Sequence, residues 1–277
     1  MLESAVPQAH EPAGPEGRLL KKVARALQLD GHDLRSLAAA DLSGCDQLHV
    51  GGRRATLDLL RRAPLSAGSL ILDVGCGLGG PSRSLAEAGH RVLGVDVSPE
   101  FCAAARVLTG WVGLSPRAAF VVGRAERLPV RPNVFDGVWL QHVNMKVQDT
   151  LGLLGEAARV LKPGGRLVIH EVFAGESPAL YPTPWASEAS GSHLAPASRF
   201  VALLAAAGFD LEQWQDLQAE SEGWARKVEE TLAAGAQPHL GPSVVFGERT
   251  EEMLSNLVKN VRERRVQVFA GCALKPA

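Results

Sequence analysis

Five short apolar runs alternate with stretches of helical spacing between residues 70 and 169, and this alternation constrains the fold of the 277-residue chain more than any other feature. The runs are rich in Val, Leu and Ile, which is typical of strands that are buried on both faces of a parallel sheet. Helices between the strands supply the right-handed crossovers that parallel strands require. The pattern predicts an α/β fold with a mostly parallel sheet and helices on both faces, with strands at 70–74, 91–96, 119–122, 136–140 and 166–169.

Segments on either side of this alternation are predicted to cover the sheet. Helical spacing recurs outside the five strands, and two more strands follow near 209–217 and 265–274. Further helices are expected at 19–29, 33–40, 52–62, 197–207, 221–234 and 248–264.

The predicted domain organisation begins with a loose tail at 1–17, which holds Pro7, Pro12 and Pro15 and no apolar run behind a basic start. A single domain, 18–277, is expected to follow. Its parts are a helical cap at 18–68, a ligand-binding core at 69–175, and a final part at 176–277 with a lid, a helical insert and the last strands.

The charge balance and the cysteines exclude several classes of protein. With 29 Lys and Arg against 30 Asp and Glu, the net charge of −1 lacks the basic footprint of a nucleic-acid-binding protein. No run approaches the roughly 18 apolar residues of a membrane-spanning helix. Cys45, Cys76, Cys102 and Cys272 lack C-x-x-C spacing, so we expect no metal site and reduced thiols. These features favour a soluble cytoplasmic monomer or homodimer with a small-molecule partner and neither a nucleic-acid nor a membrane partner.

A glycine-rich loop, Asp73-Val74-Gly75-Cys76-Gly77-Leu78-Gly79-Gly80, follows the first strand and opens a helix. Glycines at such a turn let the backbone approach a ligand closely. The loop satisfies both G-x-G-x-x-G, typical of dinucleotide-binding enzymes, and G-x-G-x-G, typical of methyltransferases. Asp96 ends the second strand, where its carboxylate can bind the ribose of an adenosine in either case. The glycines alone leave both functions open.

Further stretches, in their order and spacing, make the chain resemble the class I S-adenosylmethionine-dependent methyltransferases. They are Asp96-Val97-Ser98-Pro99-Glu100, 123–129, 135–138 and Leu161-Lys162-Pro163-Gly164-Gly165-Arg166-Leu167. The chain is most similar to small-molecule enzymes of the ubiquinone/menaquinone-biosynthesis and sarcosine/dimethylglycine type, through residues 47–52, 79–81 and 141–145. The resemblance implies a Rossmann-like seven-stranded sheet of order 3-2-1-4-5-7-6, with strand 7 antiparallel. Domain 18–277 would then be a single methyltransferase domain with a cofactor-binding core.

Carried over position by position, the resemblance implies a site for S-adenosylmethionine, with S-adenosylhomocysteine as the product. Asp73 would orient the amino group, Asp96 would bind the ribose, and Val97, Ala125 and Glu126 would surround the adenine. The cofactor-binding residues so implied are Gln47, Gly52, Asp73, Gly75, Cys76, Gly77, Gly79, Asp96, Val97, Ala125, Glu126, Gln141 and His142.

Methyl transfer requires the enzyme to align the acceptor and exclude water, and it requires a base only if the acceptor arrives protonated. His142 and His49 are the candidate catalytic residues, since imidazole titrates near neutral pH; the alternative is a hydrogen-bonding role in the wall of the site. Met145, Tyr181 and Trp185 are candidate substrate-binding residues. The two aromatic residues lie in a proline-stiffened segment after strand 5, where they would cover the acceptor or simply pack on the surface.

The expected function is S-adenosylmethionine-dependent methylation of a small molecule, with N-methylation of an amine or amino acid ahead of O-, S- or C-methylation. An NAD-dependent oxidoreductase is the alternative from another class, although the Lys162-Pro163-Gly164-Gly165 stretch and Asp73 disfavour it. A nucleic-acid methyltransferase is disfavoured by Gln141-His142-Val143-Asn144, which stands where base-methylating enzymes commonly carry an Asn/Asp-Pro-Pro-aromatic motif.

Overall fold

A seven-stranded sheet lies at the centre of the computed structural model, which describes residues 15–235 and 238–277. The strand order is β3-β2-β1-β4-β5-β7-β6, and β7 runs antiparallel to both of its neighbours while β1 to β5 are parallel. The predicted fold class and strand order are therefore confirmed. The strands are β1 Leu70–Val74, β2 Arg91–Asp96, β3 Ala118–Val122, β4 Phe135–Gln141, β5 Leu161–Ala174, β6 Asp210–Asp216 and β7 Val266–Leu274.

Helices cover both faces of this sheet, and neighbouring residues of one strand face opposite layers. Ile71 packs in the same cluster as Leu85 and Leu257, whereas Leu72 belongs to the cluster that contains Leu153 and Leu204. The helices are α1 Pro15–Leu29, α2 Ser43–Asp46, α3 Gly52–Arg62, α4 Gly80–Glu87, α5 Pro99–Trp111, α6 Thr150–Val160, α7 Ala197–Ala206, α8 Gln218–Ala234, α9 Ser243–Phe246 and α10 Thr250–Arg262. Thus α3, α4 and α10 cover one face of the sheet, and α6 and α7 cover the other.

Two N-terminal predictions need correction. Helix α1 begins at Pro15, so residues 15–17 belong to its first turn, where proline is favoured because no amide hydrogen is needed; residues 1–14 of the expected tail lie outside the described residues. The helix predicted at 33–40 is wrong: the Asp33 carboxylate accepts the backbone N–H of Arg35 at 3.0 Å, which favours a turn over a helix. Only a short 3-10 helix, Ala39–Leu42, forms there.

Strand β5 is longer at both ends than its predicted core, 166–169. Its pairing with β4 shifts register between Phe135 and Gly137, opposite Leu161 and Arg166, which accommodates the glycines between them. Beyond residue 169, β5 continues because β7 pairs with it as far as Ala174. Within 15–235 and 238–277, no helix combines the length and apolarity needed to cross a bilayer.

Candidate active site

A cavity of about 450 Å³ lies where β1, β2 and β4 end, at the point where the strand order reverses direction. The glycine loop, the loop after β3, the segment after β4 and parts of the N-terminal cap and of α9 and α10 line it. Among the predicted site residues, the cavity brings together His49, Gly75, Cys76, Gly77, Asp96, Val97, Ala125, Glu126, Gln141, His142, Met145 and Trp185. Gln47, Gly52, Asp73, Gly79 and Tyr181 are not part of its lining.

The glycine loop has the backbone shape that glycine permits. Gly75 has φ +70°, and a Cβ there would overlap the Cγ2 atom of Val143. Gly77 has φ +52°, and a Cβ there would meet no described atom within 4 Å, because it would point into the open cavity. By contrast, a Cβ on Gly79 would lie 2.8 Å from the ring of Phe120, so Gly79 serves packing and the start of α4.

Asp96 holds the glycine loop against the end of β2. Its Oδ2 accepts the backbone N–H of Gly77 and its Oδ1 accepts that of Ser98, each at 2.9 Å. Each carboxylate oxygen has a second lone pair, so these bonds orient the group without exhausting it as an acceptor.

Asp73 lies beneath α4, away from the cavity wall. Its Oδ2 accepts the hydroxyl of Ser82 at 2.5 Å, and the side chain is buried. Burial raises the pKa of Asp73 to about 7. Asp73 is absent from the described lining of the cavity, and its contact with a cofactor amino group stays a prediction.

His49 is fixed by a buried network of polar side chains. Its Nε2 lies 3.0 Å from Gln47 Oε1, and its Nδ1 lies 3.3 Å from Gln141 Nε2. Thr56 donates to Gln47 Oε1 at 2.9 Å, and Trp139 Nε1 donates to Gln141 Oε1 at 2.9 Å. An Nε2–H tautomer satisfies these bonds, and burial lowers the pKa of His49 to about 4. Gln47 thus acts by holding His49 rather than by lining the cavity.

His142 stands at the cavity wall with a strained backbone, at φ +57°. Its backbone N–H donates to the backbone carbonyl of His170 at 2.9 Å, directly after the end of β4. Burial and the nearby His170 and His49 lower the pKa of His142 well below its usual value. His142 Nε2 has no hydrogen-bond partner among the described residues. Of the two candidate bases, only His142 therefore keeps a ring nitrogen uncommitted.

Two buried acidic side chains, Glu171 and Asp46, support the site from below. Glu171, fully buried in β5, accepts the backbone N–H groups of Val143 at 2.9 Å and Asn144 at 3.2 Å, and burial raises its pKa to about 8. Asp46 in α2 accepts from Arg83 in α4 at 2.5 Å, and both side chains are 1% exposed. Burial raises the pKa of Asp46 to about 6, against the pull of Arg83.

The ion pair between Asp46 and Arg83 requires the close approach of α2 to α4. A Cβ on Gly80 would lie 2.7 Å from Asp46 Oδ1, so this glycine makes room for the cap. In the sequence, the one indication of this close approach is that Gly80 completes the G-x-G-x-x-G pattern.

The segment after β5 forms part of the roof of the cavity. Trp185 lines it and donates from Nε1 to Ser192 Oγ at 3.1 Å, as expected for a lid residue. Asn260 of α10 donates to the carbonyl of Leu180 at 2.9 Å and accepts its N–H at 2.7 Å. This clamp holds the segment. Tyr181 is not among the described residues that line the cavity, and its contact with substrate stays a prediction.

Neither the Cys76 thiol nor the acidic and histidine side chains of the described residues indicate a nucleophile or a metal centre. The Cys76 thiol is buried, and the neighbouring Cys102 thiol and burial raise its pKa well above the usual value, so it acts as a small packing group. In 15–235 and 238–277, no group of three or more His, Cys, Asp or Glu side chains is placed to hold a metal ion.

A second chamber of about 290 Å³ adjoins the first. It lies among α2, α8, α9 and α10, and none of the glycine-loop residues lines it. The two chambers meet at shared lining residues, Leu48, His49, Pro184, Phe246 and Leu257.

Comparison with known proteins places residues 72–169 in a family described as "Methyltransferase domain". The chain is similar to methyltransferase GfsG of Streptomyces halstedii, with 38% identity over 133 residues, which are 48% of each protein. The matched stretches span less than half the length of the curated relatives.

The fold is shared with solved structures over most of the chain. The [4+2]-cyclase SpnF has a TM-score of 0.68 at 24% identity, with 94% of each chain covered. Phosphoethanolamine N-methyltransferase 2 of Haemonchus contortus, in complex with S-adenosylhomocysteine, has a TM-score of 0.67 at 22% identity and covers 85% of this chain and 56% of that one. The predicted resemblance to class I methyltransferases is confirmed, although a cyclase on the same fold shows that the fold does not dictate the reaction.

Proposed function

Because residues 72–169 form a methyltransferase domain within a class I methyltransferase fold, we propose that the chain transfers the methyl group of S-adenosylmethionine to a small-molecule acceptor. The observation that supports this most is the position of Gly77 and Asp96. A bare backbone with positive φ and an oriented carboxylate meet at one end of a cavity of ligand size.

The residues fit this cofactor. Gly77 leaves its face of the loop open, Asp96 can accept two ribose hydroxyls, and Val97, which is 63% exposed, offers an apolar surface for the adenine. Ala125 and Glu126 line the same end and would contact the edge of the adenine.

When bound, S-adenosylmethionine supplies a methyl group on a positively charged sulfur, and displacement by an acceptor lone pair leaves the bonding electron pair on sulfur. The protein must position the acceptor and exclude water. Trp185 and the segment around it cover the cavity from above and so contribute to both. His142, which lines the cavity, is the candidate acceptor of the proton that a hydroxyl acceptor must lose. Its lowered pKa keeps it neutral and makes it a weaker base than an ordinary imidazole. His49 has both nitrogens engaged and acts as a positioning residue for the wall.

The charges that line the cavity bear on the choice of acceptor atom. Its carboxylates are Asp46, which pairs with Arg83, Glu126, which pairs with Arg124, and Asp96, which is assigned to the ribose. Among the described lining residues, no further carboxylate is left to balance an ammonium group beside His142, and Lys146 adds a positive charge to the lining. The lining therefore favours a neutral oxygen or carbon acceptor, and the amine or amino acid expected from the sequence stays a prediction that these walls do not support.

The wider assignments are part of the same proposal. They are a single domain spanning 18–277, a cytoplasmic monomer or homodimer, and an acceptor other than nucleic acid. Only the last of these is supported by the net charge of −1. An NAD-dependent oxidoreductase is disfavoured by the family match of residues 72–169.

Calorimetry with S-adenosylhomocysteine tests the cofactor site. Wild type should bind, and Asp96→Ala should bind at least tenfold more weakly, which is about 1.4 kcal/mol. Glu176→Ala, which removes an exposed acid remote from the cavity, is the matched control. Absence of binding by wild type, or equal binding by Asp96→Ala, would remove the proposal. Methyl-labelled S-adenosylmethionine with a panel of hydroxyl, amine and carbon acceptors then tests transfer itself.

A further inference from the structure

The second chamber differs in chemistry from the cavity beside the glycine loop. Its walls include Trp224, Val228 and Leu232 from α8 and Leu254 from α10. Lys227, which is exposed, is the one charged side chain among the described residues that line it. Its polar lining residues include Thr231, which donates its hydroxyl to the carbonyl of Lys227 at 2.9 Å, and Gln47, which is bonded to Ser84 and Thr56. The Ser43 hydroxyl, which also belongs to the lining residues, is buried without a partner among the described residues.

Such walls select against a cationic occupant. Moving an ammonium group from water into this chamber is unfavourable, because no described acidic side chain there can pair with it. Burial of apolar surface is favourable, so a hydrocarbon body is favoured there. The one cation, Lys227, further disfavours a cationic occupant.

The side chains that line both chambers would give the occupant an orientation. His49 and Leu257 line both spaces, and His142 lines only the first. A molecule whose body fills the second chamber would therefore present one end at the wall that carries His49, on the side of His142.

We propose that the second chamber holds the body of a neutral, predominantly hydrocarbon acceptor, whose reacting hydroxyl or carbon enters the first cavity beside His142. This inference rests on the proposed methyl transfer and adds the class of acceptor. It also gives a role to the helical insert: α8 and α10 form the acceptor site, whereas the sheet forms the cofactor site.

Dye binding to protein saturated with S-adenosylhomocysteine tests the inference. Nile red, a neutral apolar dye, should bind saturably with a blue-shifted emission. Val228→Glu places a charge in the chamber and should lower the affinity for the dye at least tenfold. Ala233→Glu places the same charge at an exposed position of the same helix and should leave dye binding unchanged. Thr231→Glu, at an exposed lining position, serves as a second variant if Val228→Glu fails to fold.

A competition experiment with the dye distinguishes a neutral occupant of the second chamber from a cationic one. 1-Octanol should displace the dye at least tenfold more effectively than octylamine, which has the same chain with an ammonium group. Equal displacement, absence of dye binding, or undiminished dye binding by the folded chamber variants would overturn the inference. Failure of wild type to bind S-adenosylhomocysteine would instead remove the proposed function, so the two failures are distinguishable.

Discussion

The imidazole rings of His142 and His170 stack with centroids 5.2 Å apart and planes 18° from parallel. His142 Nε2 and His170 Nδ1 are both buried without a hydrogen-bond partner among the described residues. An imidazolium in this place would lose hydration and face two other rings, His49 included, so burial and these neighbours lower the pKa of His142 well below its usual value and that of His170 to about 3. The pair is therefore neutral at physiological pH, and the same shift makes each ring a weaker base than an ordinary imidazole.

The first prediction concerns the protonation of His142. Its imidazole NMR signals should keep the chemical shifts of the neutral form as the pH falls from 7.5 to 5.5, because its pKa lies well below the ordinary value of about 6.5. His142→Asn assigns the signals, and Asn tolerates the left-handed backbone found there. A His142 signal that titrates near pH 6.5 would contradict the assignment. With a hydroxyl acceptor, His142→Asn should lower kcat by roughly 100-fold or more.

The second prediction separates ligand contact from backbone strain at Gly77. Gly77→Ala puts a methyl group into the open cavity, so affinity for S-adenosylhomocysteine should fall at least tenfold, while the strained φ of +52° costs stability by about 1–2 kcal/mol. Gly113→Ala, at φ +70° in an exposed turn with no described atom near its Cβ, bears a similar strain and should leave affinity unchanged. Equal affinity losses in both variants, measured by calorimetry, would rule out a cofactor surface at Gly77.

The third prediction concerns the buried pair of Asp46 and Arg83. Asp46→Ala strands the Arg83 guanidinium, and the free energy of unfolding in urea should drop by about 3–5 kcal/mol. Glu252→Ala removes the partner of Arg249 in a pair whose side chains are more than half exposed, and its loss should stay below about 1 kcal/mol. A small effect of Asp46→Ala would show that the cap does not depend on this pair.

The fourth prediction uses the pH dependence of stability at Glu171. Its folded pKa, about 8, exceeds the ordinary value near 4.3, so its contribution is fully present below pH 4.3 and is lost as the pH rises through 8. Glu171→Gln keeps an acceptor for the N–H of Val143 and removes this titration. As the pH rises from 5 to 8, the free energy of unfolding of wild type should fall relative to that of Glu171→Gln, by up to about 1.4 kcal/mol per pH unit. Urea denaturation at several pH values measures this, with exposed Glu176→Gln as the control; parallel curves for wild type and Glu171→Gln would contradict it.

The strands of the sheet could be predicted from the sequence because each strand is specified by the residues within its own segment. Runs such as 70–74 and 91–96 are apolar enough to specify buried strands, and β1 and β2 have these bounds. The glycine loop likewise needs particular φ values at Gly75 and Gly77, which only a few residue types adopt.

The cap and the lower layer of the site could not be predicted in this way, because they depend on contacts between distant segments. Nothing near Asp46 in the sequence indicates that it pairs with Arg83, and nothing near Asp73 indicates that Ser82 covers it. The same holds for Phe246, which lines both chambers although it lies in a short helix that hydrophobic periodicity did not resolve. Trp185 and Tyr181 were equivalent in the sequence, yet only Trp185 is among the described residues that line the cavity.

The position of β7 also fixes the order in which the molecule can be assembled during translation. The chain makes β6 first, then α8 to α10, and only then β7, yet in the sheet β7 lies between β5 and β6. Until residue 274 has left the ribosome, β6 has no complete partner strand, while β1 to β4 can already pair with one another. A nascent chain can therefore form the end of the cavity beside β1, β2 and β4 early, whereas the chamber lined by α8 and α10 waits for β7 to join the sheet.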